Sequence, residues 1–192
     1  MDRLSALTLV VLTLGACDGE SNAPPPAADR VQAVMANKRS SFADLCDIAP
    51  QAGEKPFPWP ELAEAPPAPG GARYRWVNAW ATWCKPCVEE LPLLTRTFEA
   101  WKKQGNDVTL TLVSVDQDAA AAKSFIAARP GTPASLQLKD ATQATAWLSQ
   151  IGLSGGTVPA HAVVDAKGSL LCARSGGVTE THLERFKQVL FP

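Results

Sequence analysis

Hydrophobic and polar residues alternate along this chain in segments whose periods predict a succession of strands and helices. From Arg73 to Trp80 the apolar positions Tyr74, Trp76, Val77 and Trp80 make a strand-prone, buried run. Pro86 to about Gln104 reads as a helix stopped by Gly105. Val108–Val115 alternates Val and Leu with Thr and Ser, the signature of a strand. An alanine-rich helix over Ala119–Ala128 closes at Arg129-Pro130-Gly131, Leu136 and Leu138 mark a short strand, and Ala141–Ile151 a further helix. Ala162–Val164 and Leu170–Ala173 are the arms of a hairpin turned by Asp165-Ala166-Lys167-Gly168. Thr179 caps a final helix carrying Leu183, Phe186, Val189 and Leu190 at helical spacing. Further toward the N-terminus, Asp29 caps a short helix to about Asn37 with Val31, Val34 and Met35 on one face. Residues 40–71 read as loop, with one strand near Trp59–Leu62. Strands alternating with helices before a hairpin and a closing helix predict an α/β fold, a mixed central sheet flanked by helices.

Composition changes this picture little. A hydrophobic content of 46% supports a core, and a net charge of −1 offers no attraction for nucleic acid. The first residues matter more. Leu4 to Ala16 run apolar or small between Arg3 and Cys17. As a helix that segment spans roughly 20 Å against the ~30 Å of a bilayer core, so it suits a signal-peptide h-region and not a stable membrane span. Leu14-Gly15-Ala16-Cys17 resembles the lipobox of bacterial lipoproteins, which implies acylation of Cys17; ordinary signal cleavage leaving Cys17 a free thiol is the alternative. Asp18 resembles the inner-membrane retention signal of enterobacterial lipoproteins, and Ser21–Ala28 is a polar, Pro-rich spacer. The expected organisation is a signal peptide over 1–16, an anchor and linker over 17–28, an arm over 29–58 and a folded domain over 59–192.

The chemistry sits in Trp83-Cys84-Lys85-Pro86-Cys87. Two cysteines three apart at a strand-to-helix junction can close a small disulfide ring, with one sulfur beside the unpaired N–H groups and positive dipole end of the helix. A thiol of ordinary pKa ≈ 8.5 is only slightly ionised at neutral pH, and such positions lower that value to ~3.5–7.5. Cys84 is therefore the expected exposed nucleophile and Cys87, one turn in, the resolving thiol. Lys85 adds a nearby positive charge, and Pro86 suits the first helical turn because its missing N–H would have no partner there. A half zinc site would need two more ligands; the chain has no second CxxC, and His161 and His182 lie far apart in sequence. A passive structural disulfide is the other reading of the pair. No Gly-rich phosphate loop points to an organic cofactor; the redox-active group is the disulfide itself.

The segment Val77-Asn78-Ala79-Trp80-Ala81-Thr82-Trp83-Cys84-Lys85-Pro86-Cys87-Val88-Glu89-Glu90-Leu91-Pro92 resembles the signature of the TlpA/ResA-like thioredoxin family. Pro92 resembles the proline that kinks that family's active-site helix, Val158-Pro159 its cis-proline loop facing the CxxC, and Val164–Gly168 its following strand and turn. The resemblance covers about Trp59 to the C-terminus, while Asn37 to Ala68 departs from the usual N-terminal strand pattern. It implies a thioredoxin-like fold, with Trp83, Lys85, Pro86, Val158 and Pro159 meeting the substrate and the Val158 backbone pairing with an extended peptide. In thioredoxins proper a buried Asp six residues before the first Cys helps proton transfer; here that position is Asn78, which cannot titrate. The resemblance assigns the role instead to Glu90, as a partly buried carboxyl of raised pKa that exchanges protons with Cys87, and leaves Glu89 solvated. His161 is expected to be packed or half-exposed, without a catalytic part. Cys46 and Cys172 remain; two free thiols are a liability in an oxidising compartment, and a second, structural disulfide in some TlpA-like proteins implies their pairing.

The resemblance further implies a reductant of client cysteine pairs on the periplasmic side of the bacterial inner membrane. Its recharging donor would be of the DsbD/CcdA type, and its clients apocytochrome c or copper-site assembly factors. An oxidant of the DsbA type and a non-catalytic copper-binding module are the alternatives.

Overall fold

The computed structural model describes residues 42–68 and 71–192. The expected leader, Cys17, the linker and the Asp29–Asn37 helix lie outside the described residues. Among those described, five strands form one sheet in the order β3-β2-β1-β4-β5. The strands are β1 (Tyr74–Trp80), β2 (Val108–Ser114), β3 (Ser135–Gln137), β4 (Ala160–Asp165) and β5 (Leu170–Ser175). β1 runs parallel to β2, and β2 to β3, while β4 is antiparallel to both β1 and β5. The helices are α1 (Lys85–Lys103), α2 (Ala119–Ala127), α3 (Ala144–Gln150) and α4 (Glu180–Leu190), with a 3-10 turn over Ala141–Gln143 before α3. The mixed sheet expected from the sequence pattern is the one observed, with element ends shifted by one or two residues.

β1 lies at the centre of the sheet and is buried on both faces, which is why its sequence is apolar almost throughout. Successive side chains leave a strand on opposite sides. Trp76 thus joins a cluster with Leu94, Phe98 and Trp101 of α1 and Leu183, Phe186 and Leu190 of α4. Val77 and Ala79 join another with Leu112, Ala122, Ile126 and Leu148. Trp76 is fully buried and packs edge-on against Phe186 at 4.8 Å and Phe98 at 5.5 Å. The two clusters hold α1 at a fixed height on the sheet, so the C-terminal end of β1 delivers the chain directly into the start of α1.

The local signals explain the boundaries. Gly105, at φ 81°, takes the left-handed conformation that ends α1, and its N–H returns to Lys102 O. Asp118 caps α2, and Thr179 caps α4 in a box completed by His182, whose Nδ1 accepts the Thr179 N–H at 3.2 Å. Pro92 sits within α1 without ending it.

No strand forms over Trp59–Leu62, a correction to the sequence reading. Pro56, Pro58 and Pro60 remove every second backbone donor there, so no ladder can run. The segment keeps single bridges from Pro56 to Ser169 and from Leu62 to Leu138. Its rings are used instead, with Phe57 edge-on to Trp59 at 4.9 Å and to Trp147 at 6.4 Å.

The arm from Phe42 to Phe57 covers the outer edge of β5. Ile48 and Ala173 exchange backbone hydrogen bonds of 3.0 and 2.8 Å, and Leu170 N–H donates to Lys55 O at 2.8 Å. An uncovered edge strand is a template for pairing with other chains, and the arm removes it. Cys46 and Cys172 are joined across this contact, 126 residues apart in sequence. Asp47 beside them accepts from both the N–H and the hydroxyl of Ser175 at 2.7 Å.

Replacing Cys46 and Cys172 together by Ser is expected to lower unfolding stability by about 2–4 kcal/mol in urea titration, since the closed loop is long. The Asp47 carboxyl is held below its ordinary value, first by the Ser175 N–H and then by its hydroxyl. A lowered carboxyl contributes stability above the unfolded value of about 3.9 and loses it as pH falls through the folded one. Asp47→Asn is therefore expected to destabilise the protein at pH 7 and to make no difference well below pH 3.

Candidate active site

Cys84 ends the turn that follows β1 and caps α1, its Sγ accepting the Cys87 N–H at 3.3 Å. The two sulfurs are bonded to each other. Cys84 is 5% exposed and Cys87 fully buried. The order of exposure is as expected, but in this disulfide form Cys84 is itself a buried residue, a correction to the exposed thiol read from sequence. In the closed ring both sulfurs are buried, and the neighbouring Trp83 takes the outward position. Trp83 is 68% exposed, the one large apolar side chain left open among the described residues.

Lys85 points into solvent and lies 3.7 Å from Glu89, one turn along α1. Its charge is shared with that exposed carboxylate, which also locates Glu89 in solvent. Such surface pairs contribute little to stability.

The turn carrying Thr82 and Trp83 is anchored by Asp116, just beyond β2. The Asp116 carboxylate accepts from Thr82 N at 3.0 Å, from Thr82 Oγ1 at 2.7 Å and from Ser114 Oγ at 2.8 Å. It is 3% exposed, and these donors satisfy a buried charge that would otherwise be costly. Sequence reading missed this anchor. Its only signal was a polar pair, Ser114 and Asp116, at the end of an otherwise apolar strand.

Glu90 lies one turn beyond Cys87 on α1 and is 6% exposed. Its Oε1 accepts from Asn78 Nδ2 of β1 at 3.1 Å, and its Oε2 from the Val178 N–H at 2.9 Å. His161 Nε2 of β4 is 3.4 Å from the same Oε1. Asn78 and His161 are cross-strand partners and so face the same side of the sheet, toward Trp76. Asn78 thus bonds directly to Glu90, the carboxyl that the sequence resemblance singled out.

The Val158–Pro159 bond is cis. Pro159 O accepts the Gly176 N–H at 2.8 Å, which joins this loop to the turn after β5. Gly177 in that turn allows a close approach: a Cβ there would come 3.2 Å from Glu90 Oε2 and 3.9 Å from Pro159 Cγ. Glu90, on the helix that carries the CxxC, and the Val158-Pro159 loop therefore meet through one turn. Thr82, Trp83, Asp116, Thr145, Thr157 and Val158 border an open groove of about 660 Å³ beside the cysteines. Of the residues singled out from sequence, the structure brings together Trp83, Cys84, Pro86, Cys87, Glu90, Val158 and Pro159. It places Cys46 and Cys172 in the arm contact, and Cys17 lies outside the described residues.

Residues 73–190 match the Redoxin family model. The thiol-disulfide oxidoreductase ResA of Bacillus cereus is 27% identical over 117 residues, covering 60% of this chain and 62% of that protein. The chain thus matches less than two thirds of that relative's length. Among solved structures, the thioredoxin-related protein of Neisseria meningitidis serogroup B superposes with a TM-score of 0.51 at 27% identity, covering 62% of this chain and 85% of that one. The thioredoxin domain of a thiol-disulfide oxidoreductase from Bacteroides vulgatus gives 0.50 at 21% identity over 62% and 80%, a likeness of fold. With five strands and helices in the thioredoxin arrangement and a CxxC capping α1, this chain belongs to the Redoxin family as a TlpA/ResA-like, thioredoxin-fold member.

Proposed function

We propose that the protein is an extracytoplasmic thiol–disulfide oxidoreductase that reduces disulfides in client proteins. The observation that carries this reading is the Cys84–Cys87 disulfide at the N-terminus of α1, with the Val158-Pro159 loop tied into the same site through Gly176–Val178. In the reduced enzyme, the Cys84 thiolate attacks one sulfur of a client disulfide. An enzyme–client mixed disulfide forms as the client's other sulfur leaves as a thiolate. Cys87 then gives up its proton and attacks Cys84 Sγ, which releases the second client thiolate and closes the Cys84–Cys87 bond. Two electrons pass from the protein dithiol to the client. Glu90, on the same helix one turn on, is the proposed acceptor of the Cys87 proton. Trp83, Lys85 and Pro86 would meet the client on one side and Val158 on the other, while Asp116 holds Thr82 so that the turn does not shift during attack.

The sulfurs themselves carry the redox equivalents in this proposal, with no further cofactor. Its clients are proteins with cysteine pairs, such as apocytochrome c or copper-site assembly factors. A membrane donor of the DsbD/CcdA type would restore the dithiol, and acylation of Cys17 would tether the domain on the periplasmic side of the inner membrane. Against an oxidant of the DsbA type, residues 130–156 hold only β3, a 3-10 turn and α3 and no inserted helical domain. Against a copper-holding module, no three His, Cys, Asp or Glu side chains group as a metal site among the described residues.

An equilibrium redox titration separates the directions: a potential nearer about −270 mV than about −120 mV is expected, and a value at the oxidising end would overturn the reductase assignment. Cys84→Ser should abolish insulin-disulfide reduction, whereas Cys87→Ser should accumulate a mixed disulfide visible by non-reducing gel and mass spectrometry. Glu90→Gln should slow resolution of that mixed disulfide roughly a hundredfold, at the low end of what acid–base assistance contributes.

A further inference from the structure

His161 is an unusual residue for its place. It stands in β4, 1% exposed, with Asn78 of β1 and Arg174 of β5 as its cross-strand partners. The Trp76 indole N–H donates to its Nδ1 at 3.1 Å, and Asn78 Nδ2 lies 3.3 Å from the same atom. Trp76 Nε1 can only donate, so Nδ1 must be the bare, accepting nitrogen. The ring proton is therefore on Nε2, which makes no hydrogen bond in this disulfide form and lies 3.4 Å from Glu90 Oε1, its nearest carboxylate oxygen. The Asn78 amide has one orientation consistent with this: its two N–H bonds serve Glu90 and His161, and Oδ1 is left unpaired. Every group around the Glu90 carboxylate (Asn78, Val178 N and His161) is then a donor.

We propose that His161 is a positioning residue for Glu90, presenting Nε2–H to Oε1 while Trp76 and Asn78 fix the ring from Nδ1. The inference rests on Glu90 being the proton partner of Cys87. Its consequence is directional. A carboxyl proton on Glu90 finds no acceptor among its three neighbours, and His161 cannot become one without driving a proton onto Nδ1 against the Trp76 N–H. The proton is thereby kept exchangeable with the sulfur one turn away and is not lost into the core. The titratable and charged groups near this ring are Glu90 from α1, Arg174 opposite it on β5 and His182 from α4.

The test uses the reduced full chain. Long-range ¹⁵N–¹H spectra of the histidine rings are expected to show His161 as the Nε2–H tautomer at neutral pH; an Nδ1–H ring or an imidazolium would overturn the proposal. The rate of reaction with a small aromatic disulfide is then followed against pH. Losing a donor to a carboxylate favours its protonated form, so His161→Leu should move the Glu90-dependent limb up by about half to one pH unit. His161→Gln, which retains an N–H donor, should move it back. In a Glu90→Gln background, His161→Leu should add nothing further. If Glu90→Gln removes the limb but His161→Leu leaves it in place, the role of His161 fails and that of Glu90 stands. If Glu90→Gln changes nothing, the parent reading fails and this inference with it. Trp76→Phe deletes one N–H while keeping a ring in the core, so a misfolded His161→Leu does not end the test: the limb should move the same way by less, and an unmoved limb counts against the lock.

Discussion

The burial of the Glu90 carboxylate constrains more of this molecule than any other single group. A carboxyl group at 6% exposure is tolerable only if its oxygens are met by donors, and its two hydrogen-bond donors come from separate places. Asn78 belongs to the central strand and Val178 to the turn between β5 and α4, with His161 of the neighbouring antiparallel strand 3.4 Å away. Satisfying them sets the rotation of α1 over the sheet. That rotation in turn determines where Cys84 and Cys87 emerge. The same turn contacts Pro159 through Gly176 and Gly177, so the loop opposite the cysteines is positioned by the same carboxylate.

Two further anchors divide the work. Asp116 holds the backbone and hydroxyl of Thr82, fixing the turn before the disulfide from the β2 side. The aromatic stack of Trp76, Phe98 and Phe186 fixes the body of α1. Trp76 has a second use because its indole N–H reaches His161, so the hydrophobic core and the polar network share a residue. A buried polar network joined to the core in this way ties the orientation of its members to the packing of the sheet, with Asn78 Oδ1 and His161 Nε2 left unpaired in the disulfide form. The arm on β5 contributes at a distance, closing the sheet edge with backbone bonds and the Cys46–Cys172 link.

Much of the fold was legible in the chain. Period-two alternation located β2, the helical spacing of Leu183, Phe186 and Leu190 located α4, and Thr179 marked its start. The Trp59–Leu62 segment misled because its aromatic and apolar residues are strand-like by composition, while the prolines between them forbid a ladder. At the site, the CxxC was legible because its spacing carries its own chemistry. Asp116 and His161 were not, since one follows a strand that predicts only burial and the other is a lone histidine with no sequence neighbour to define it.

The sequence by itself determined the order of elements, the placement of two cysteines at a helix start and the candidate status of Glu90 and Pro159, because these depend on residues near one another along the chain. The tertiary structure decided which side chains surround Glu90, that Cys84 is buried in the disulfide form, and that Trp76 serves core and network together. The contacts of Glu90 and Trp76 join residues 12 to 88 positions apart, brought together by strand register and helix packing. Local propensity carries no record of such distances; only burial of the whole sheet between its helices resolves them.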